Sequence, residues 1–227
     1  ETASAAGVEP GLVRGGTITV LAANNGDILS SAMNYDANAA SGGDASGGAV
    51  SLTTNNGGSI SSVGTLGIGA ASTVRSLESA GDAVGGSIQV NINSGALVSG
   101  PLILDASAVG GDAIFGGIGG SATGGTARVN ISGGDSTVEV FSLTTDATGG
   151  RGGLGDQVGG AGGSGTAGTS EINLLGGTTR TAALILTSSA MGGGGGDGSS
   201  GGTGGIATGG RAAAITSDAA TLFLMKV

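Results

Sequence analysis

The chain contains no cysteine and no histidine, and it has few prolines, aromatic residues and charges. The absence of cysteine excludes disulfide bonds and thiolate metal sites, so the fold must be stabilised by its own packing and hydrogen bonds. A net charge of −9, with Lys226 as the only lysine, excludes a basic surface for nucleic acid. No apolar run approaches the roughly 20 residues of a membrane-spanning helix, so no membrane span is expected. No signal peptide is visible, and Glu1 is interpreted either as a processed N-terminus or as the edge of a fragment.

The same scarcities argue against catalysis. Polysaccharide-acting enzymes built on β-helices usually combine clustered carboxylates or cationic residues with an aromatic-lined cleft. The aromatic residues here are Tyr35, Phe115, Phe141 and Phe223, which form no cluster in the sequence, and no nucleophile, base and orienting group can be assembled. No GxxxxGK[ST] motif is present for nucleotide binding. We therefore expect a protein that is not an enzyme and has no cofactor.

Glycine, in contrast, is abundant, with 54 of the 227 residues. No strict G-X-Y period runs through the chain, which excludes a collagen helix. The mean hydropathy is positive at +0.31, whereas disordered chains are polar, so apolar surface must be buried. The apolar residues are mostly Ala, Val, Ile and Leu, which suit thin, regularly stacked strands.

Six related blocks recur along the chain, each with alternating apolar residues followed by a turn signal such as Asn-Gly. Clear examples are "GGTITVLAANNG", "GGAVSLTTNNGG" and "GGSIQVNINSG". We interpret residues 1–14 as an N-terminal extension and residues 15–227 as one domain of six repeats. The repeats cover residues 15–46, 47–84, 85–123, 124–166, 167–208 and 209–227.

The repeats can be arranged as a β-sandwich or as a parallel β-solenoid. Equivalent positions match in type, apolar over apolar and Asn-Gly over Asn-Gly, as coil-on-coil stacking requires. No window carries the capped 3.6-residue periodicity of a helix. The sequence therefore predicts an all-β parallel β-solenoid (β-helix) of about six coils with long glycine-rich loops.

The blocks "GGTITVLAANNGDI", "GGAVSLTTNNGGSIS" and "GGSIQVNINSGALVSG" resemble the repeats of filamentous-haemagglutinin-like exoproteins, which are two-partner-secreted or autotransporter adhesins of bacteria. The resemblance is strongest over residues 15–110. It implies a right-handed parallel β-helix, export, and an extracellular or bacterial cell-surface location.

Between the later blocks lie stretches such as "ATGGRGGLGDQVGGAGGSGTAG" (147–168), in which Gly-Gly recurs every third residue. A period of three is that of polyproline II. One hypothesis is that successive coils project these segments from the same corner and that they pack as polyglycine-like helices, which requires residues without Cβ. These stretches then resemble glycine-rich phage adhesins and glycine-rich antifreeze proteins. The alternative is three mobile loops, because ordering glycine costs entropy.

Five loop aspartates are candidate metal ligands. If the coils stacked them in one line, their mutual repulsion would favour a cation such as Ca²⁺. Aspartate is also a common turn residue, and the sequence favours that interpretation. Rows of threonine, as at Thr17 and Thr19, leave ice binding as a further alternative. The five aspartates are Asp44, Asp82, Asp112, Asp156 and Asp197.

The C-terminal stretch "AATLFLMKV" is an apolar β-strand without a capping element. Such a strand can stack on another copy and grow a filament. The sequence therefore favours a structural subunit that associates with itself end to end in an extracellular or surface fibre. The runner-up is a surface adhesin segment that binds a receptor or glycan through its glycine-rich loops. The residues expected at the self-association surface are Leu222, Phe223, Leu224, Met225 and Val227.

Overall fold

The computed structural model describes residues 5–6, 11–75 and 80–225. Throughout these described ranges the regular elements are all β-strands, and the paired strands are all parallel. The chain winds through the same sequence of sheets in each turn, so that each strand lies on its counterpart from the turn before. The predicted all-β parallel β-solenoid is confirmed, with five complete turns and the beginning of a sixth.

The strands follow one another in a regular order from turn to turn. β1 (Ala5–Ala6) precedes the first turn, which contains β2 (Val13–Arg14), β3 (Thr17–Ala22), β4 (Asp27–Ser30), β5 (Met33–Asp36) and β6 (Ala39–Ser41). The second turn contains β7 (Ala45–Ser46), β8 (Ala49–Thr54), β9 (Ser59–Ser62), β10 (Leu66–Gly69) and β11 (Ser72–Val74). The third contains β12 (Ala83–Val84), β13 (Ser87–Ile92), β14 (Ala96–Asp105) and β15 (Ala108–Val109).

The later turns repeat this order around longer loops. The fourth turn contains β16 (Ala122–Thr123), β17 (Thr126–Ile131), β18 (Asp135–Thr144) and β19 (Ala147–Thr148). The fifth contains β20 (Gly165–Thr166), β21 (Thr169–Leu174), β22 (Gly177–Thr181), β23 (Ala183–Thr187) and β24 (Ala190–Met191). The sixth begins with β25 (Ala207–Thr208), β26 (Arg211–Thr216) and β27 (Ala220–Leu224).

Four sheets run along the stack. Sheet 1 has the order β26-β21-β17-β13-β8-β3, and sheet 2 has β27-β22-β18-β14-β10-β5 with β4, β9 and β23 beside this path. Sheet 3 has the order β1-β6-β11-β15-β19-β24, and sheet 4 has β2-β7-β12-β16-β20-β25. The Gly-Gly pairs that begin most of the predicted repeats lie between sheet 4 and sheet 1. β1 and β2, from the predicted N-terminal extension, pair with β6 and β7 in these sheets.

The core has a broad part and a narrow part. Between sheets 1 and 2, alternate residues form apolar columns, and one column runs through Leu52, Val90, Val129 and Ile172, all of them fully buried. Between sheets 3 and 4 the core is mostly alanine, as at Ala83. Because a methyl group fills little space, the short strands of sheets 3 and 4 pack close together, and the cross-section narrows at that end.

The predicted turn signals lie between sheets 1 and 2. Asn24 and Asn25 have φ of 55° and 60°, and the glycines that follow in later turns also have positive φ, as Gly134 does at 77°. Asparagine and glycine are the residues that tolerate this left-handed conformation. The turn is therefore stacked from coil to coil, as the recurring Asn-Gly pattern predicts.

Candidate functional site

The three long glycine-rich loops leave the solenoid at one corner, after sheet 3, and return to sheet 4. They connect β15 to β16, β19 to β20, and β24 to β25, and they cover residues 110–121, 149–164 and 192–206. We call these three segments the glycine layer. Each loop runs out from the solenoid and back, and it stacks on the corresponding loop of the next turn.

Backbone hydrogen bonds join the loops to one another. Gly150 donates to the carbonyl of Gly120 at 2.8 Å, and Gly153, three residues on, donates to Gly117 at 3.0 Å. Gly193 and Gly196 repeat this spacing in the next loop, since they donate to Gly163 and Gly160, each at 2.8 Å. Hydrogen bonds at three-residue intervals are what packed segments of the polyproline II type require.

The outward and return halves of each loop are also joined. Gly160 donates to Gly153 at 2.9 Å, and Gly163 donates to Gly150 at 2.8 Å. Of the described glycines in the glycine layer, only Gly116 has a positive φ. Glycine is therefore required here mainly for close approach of the chains: a Cβ at Gly160 would overlap the backbone of Gly117 and lie 3.0 Å from the nitrogen of Gly153.

Large apolar side chains are exposed where the loops turn back. Phe115 is 82% exposed, Ile118 70% and Val158 63%. Their backbones are held by the layer, because Phe115 forms a parallel bridge with Leu154, which is also exposed. Exposed apolar side chains on neighbouring stacked loops are a feature of interaction sites on proteins. We call Ile114, Phe115, Ile118, Leu154 and Val158 the apolar tip.

A shallow groove of about 320 Å³ lies beside the apolar tip, across the outward halves of the three loops. Ile114 and Leu154 contribute its apolar part, and Asp112, Arg151 and Asp197 contribute charged groups. Asp112 also has a structural role, since its Oδ1 accepts the backbone N–H of Arg151 at 2.7 Å. The groove therefore brings both apolar and ionic side chains to the surface of the glycine layer.

The five aspartates considered as metal ligands do not form a single stacked line. Asp44 Oδ1 accepts the backbone N–H of Asp82 at 2.9 Å, and Asp82 Oδ1 accepts that of Ser121 at 2.7 Å. Asp112 lies in the third turn's loop, whereas Asp156 and Asp197 lie in the two loops that follow. Across the described ranges, no three acidic side chains gather where they could hold a metal ion. The placement of Asp44, Asp82 and Asp112 fits carboxylates that bond the backbone of the next turn.

Glu171, in β21, is shielded from solvent. The residue is only 6% exposed, and its Oε2 lies 3.3 Å from Arg128 Nη2 and 2.9 Å from Arg211 Nη1. Thr17 and Thr19, which were considered for ice binding, do not continue as a row of threonines into the next turn, because they pair with Ala49 and Ser51. Both arrangements depend on the register between turns, which the sequence shows only approximately.

The predicted self-association residues lie on two faces of β27. Leu222 and Leu224 pair with the buried Thr179 and Thr181 and so continue inward-facing columns. Leu224 is nevertheless 71% exposed, because the described part of the chain places no strand beyond β27 in sheet 2. Phe223 faces outward, with its ring centroid 5.4 Å from the guanidinium carbon of Arg180.

The remaining two candidates contribute less to this surface. Met225 follows β27 and donates its backbone N–H to the carbonyl of Thr181 at 2.7 Å. Val227 lies outside the described residues. Among the described residues of β27, the exposed apolar side chains are therefore Leu224 and Phe223, whereas Leu222 is half-buried against the core.

Sequence reasoning missed the apolar tip. Phe115 and Leu154 are 39 positions apart in the sequence and meet only because consecutive loops stack. A usable signal was present, since "AIFGGI" and "GLGDQV" place large apolar residues inside glycine runs where a flexible linker would have polar ones.

Comparison of the chain with protein-family models, with curated proteins and with solved structures finds no match. No helix among the described residues is long and apolar enough to cross a membrane. A functional interpretation therefore depends on the geometry of the glycine layer, the apolar tip and the end of the stack.

Proposed function

We propose that this protein is a non-enzymatic β-solenoid adhesin segment that holds a partner at the apolar tip of its glycine layer. The solenoid acts as the scaffold, and the glycine layer places the binding residues away from it. The repeats' resemblance to exported bacterial adhesins supports action outside the cell or at a bacterial surface.

The observation that carries this proposal is the exposure of Phe115 on a backbone held by hydrogen bonds. Its side chain is 82% exposed, and Gly116, the next residue, donates to the carbonyl of Leu154 at 2.5 Å. A side chain on a fixed backbone loses little conformational entropy when it binds, which favours affinity. Aromatic residues are also the commonest energetic centres of protein interfaces.

The positions of the charged side chains support a non-enzymatic role. Glu171 is engaged by two arginines, and Asp44, Asp82 and Asp112 accept backbone N–H groups. These contacts join each carboxylate to a neighbouring turn, so the carboxylates have structural roles in the stack.

A substitution at the apolar tip tests the proposed function. Labelled protein is incubated with cultured bacterial and animal cells and with immobilised panels of proteins and glycans. We expect Phe115→Ser to lower retention on the surface that holds the parent chain by about tenfold or more, because a central aromatic contact is removed. The matched control is Val63→Ser, since Val63 is 88% exposed but lies in the turn between β9 and β10. Equal retention of Phe115→Ser and the parent chain would contradict the proposal.

End-to-end association is the second candidate function, and the exposed, inward-facing Leu224 of β27 favours it. A further strand from another copy could pair with β27 and cover Leu222 and Leu224, as β27 covers β22 within one chain. Parallel ladders extended in this way form open, non-closing assemblies. The adhesin proposal depends on the apolar tip, whereas end-to-end association depends on β27. The two proposals can therefore be tested with separate substitutions.

A further inference from the structure

We infer that the partner held by the apolar tip is a protein surface with an apolar centre and a basic rim. This inference rests on the proposed function and specifies the chemistry of the partner. It follows from the exposed side chains of the apolar tip together with the charged side chains of the glycine layer, three of which line the groove beside Ile114 and Leu154.

The centre of the site is aliphatic and aromatic. Leu154 is 56% exposed and Val158 63%, and they lie in the loop that stacks on Phe115 and Ile118. An exposed apolar cluster of this kind is complemented by another apolar surface, since association removes both from water. A protein pocket lined by aliphatic side chains offers that surface.

The rim of the site is acidic. Within the glycine layer the ionisable side chains are Asp112, Asp156, Asp197 and Arg151, so three carboxylates oppose one guanidinium and the net charge is −2. Asp112 and Asp197 line the groove beside Ile114 and Leu154, and Asp156 lies between Leu154 and Val158 in the sequence. The chain as a whole carries −9, so the local and overall charges have the same sign.

Charge complementarity selects among the classes of partner. An acidic rim attracts lysine and arginine side chains and repels phosphate groups and anionic lipid. A glycan is bound mainly through hydrogen bonds around an aromatic ring. Four of the five side chains in the apolar tip are aliphatic, so the tip is less suited to a glycan than to an apolar protein surface. A protein surface with an apolar centre and basic residues around it is complementary to both the apolar side chains and the acidic groups of the site.

Three synthetic peptides test the inference, each of ten residues. The first peptide alternates leucine and lysine and so has both apolar side chains and positive charge. The two controls each lack one of these properties: one alternates leucine and glutamate, and the other alternates serine and lysine. Each is titrated into the ¹⁵N-labelled chain while the amide signals are followed by NMR. We expect the leucine–lysine peptide to shift the signals of residues 113–118 and 152–158 and to bind about tenfold more tightly than either control.

A charge substitution provides the matched comparison. Asp156→Asn should weaken binding of the leucine–lysine peptide about threefold at low ionic strength, with the difference shrinking as salt is added. Asp218→Asn removes the same charge in the exposed turn before β27 and should leave the affinity unchanged. Equal effects of the two substitutions would overturn the acidic-rim argument.

The remaining outcomes separate this inference from the proposed function. Similar binding of all three peptides, or none at the apolar tip, would overturn the inference. A neutral dextran oligosaccharide that shifts the same amide signals would assign the site to a glycan instead. In either case a loss of cell or surface retention in Phe115→Ser would leave the proposed function standing, whereas unchanged retention would refute the function itself.

Discussion

At the residue scale, the absence of a Cβ decides where the glycine layer can form. Gly150 and Gly163 lie so close to neighbouring carbonyls that a methyl group at either position would overlap backbone atoms. Gly201, in the same layer, has no atom within 4 Å of the position that a Cβ would occupy. The glycines of the layer therefore differ in how much the structure depends on them.

Gly160→Ala and Gly201→Ala form a matched pair that tests this difference. We expect Gly160→Ala to destabilise the layer by about 2 kcal/mol or more, because the methyl group must displace the backbone of Gly117. Gly201→Ala should change stability by less than about 0.5 kcal/mol, as ordinary surface substitutions do. The rate of limited proteolysis within residues 149–164 measures the effect, and equal rates in the two variants would show that the loops are not packed.

Residue identity predicted some features well. The Asn-Gly signals specified the stacked turn because left-handed backbone is a local property, confirmed at Asn24, Asn25 and Asn56. The environment of Glu171 could not be predicted in this way. Its burial depends on Arg128 in the preceding turn and Arg211 in the following one, which a pattern within one strand does not reveal.

At the element scale, identical side chains stacked on neighbouring strands stabilise the sheets. Asn91, Asn130 and Asn173 lie over one another on the outer face of sheet 1. The side-chain amide of Asn130 donates to Asn91 at 2.9 Å and that of Asn173 donates to Asn130 at 2.9 Å. The middle asparagine thus makes two of these hydrogen bonds and Asn173 makes one.

This difference predicts unequal effects of alanine substitution. Asn130→Ala should lower the free energy of unfolding by about 1–2 kcal/mol, and Asn173→Ala by about half as much, because a partly exposed hydrogen bond contributes about 1 kcal/mol. Urea denaturation followed by circular dichroism gives both values. Equal destabilisation by the two substitutions would show that the stacked amides do not act as a ladder.

The strands themselves were largely predictable, and the loop packing was not. Alternating apolar residues such as Ile88 and Val90 place one face of a strand in the core wherever the strand lies in the stack. The three-residue Gly-Gly period suggested polyproline II, yet it fitted mobile loops equally well. The choice depends on hydrogen bonds between successive loops, such as those that Gly150 donates to Gly120 and Gly193 donates to Gly163.

At the scale of the whole molecule, each turn is stabilised by its neighbours, and the last turn among the described residues leaves an inward-facing side chain exposed. The inward-facing Val129 of β17 is fully buried, whereas Leu224 of β27 is 71% exposed. A solenoid behaves as a nearly one-dimensional stack in which an open end lacks one neighbour's contribution. A further strand on β27, from a following segment or from another copy, would cover Leu224.

Substitution of Leu224 tests that association. If the end of the stack binds another copy, the parent chain should sediment as larger species as its concentration rises, and Leu224→Lys should remain monomeric because a charge cannot enter the apolar column. Val63→Lys is the control for adding a charge elsewhere. A parent chain that stays monomeric at every concentration would rule out end-to-end association, and dependence on added calcium would assign a ligand role to the loop aspartates.

The central claim is that the glycine layer is an ordered platform and not a set of mobile loops. Amide hydrogen exchange of the intact chain, resolved by NMR, tests it most directly. The amides of Gly150, Gly153, Gly160 and Gly163 should exchange more slowly than in an unstructured peptide by about a hundredfold or more, approaching the protection of core amides such as that of Val129. Exchange of these four glycines at the rate of an unstructured peptide would contradict the account and leave the apolar tip without a rigid support.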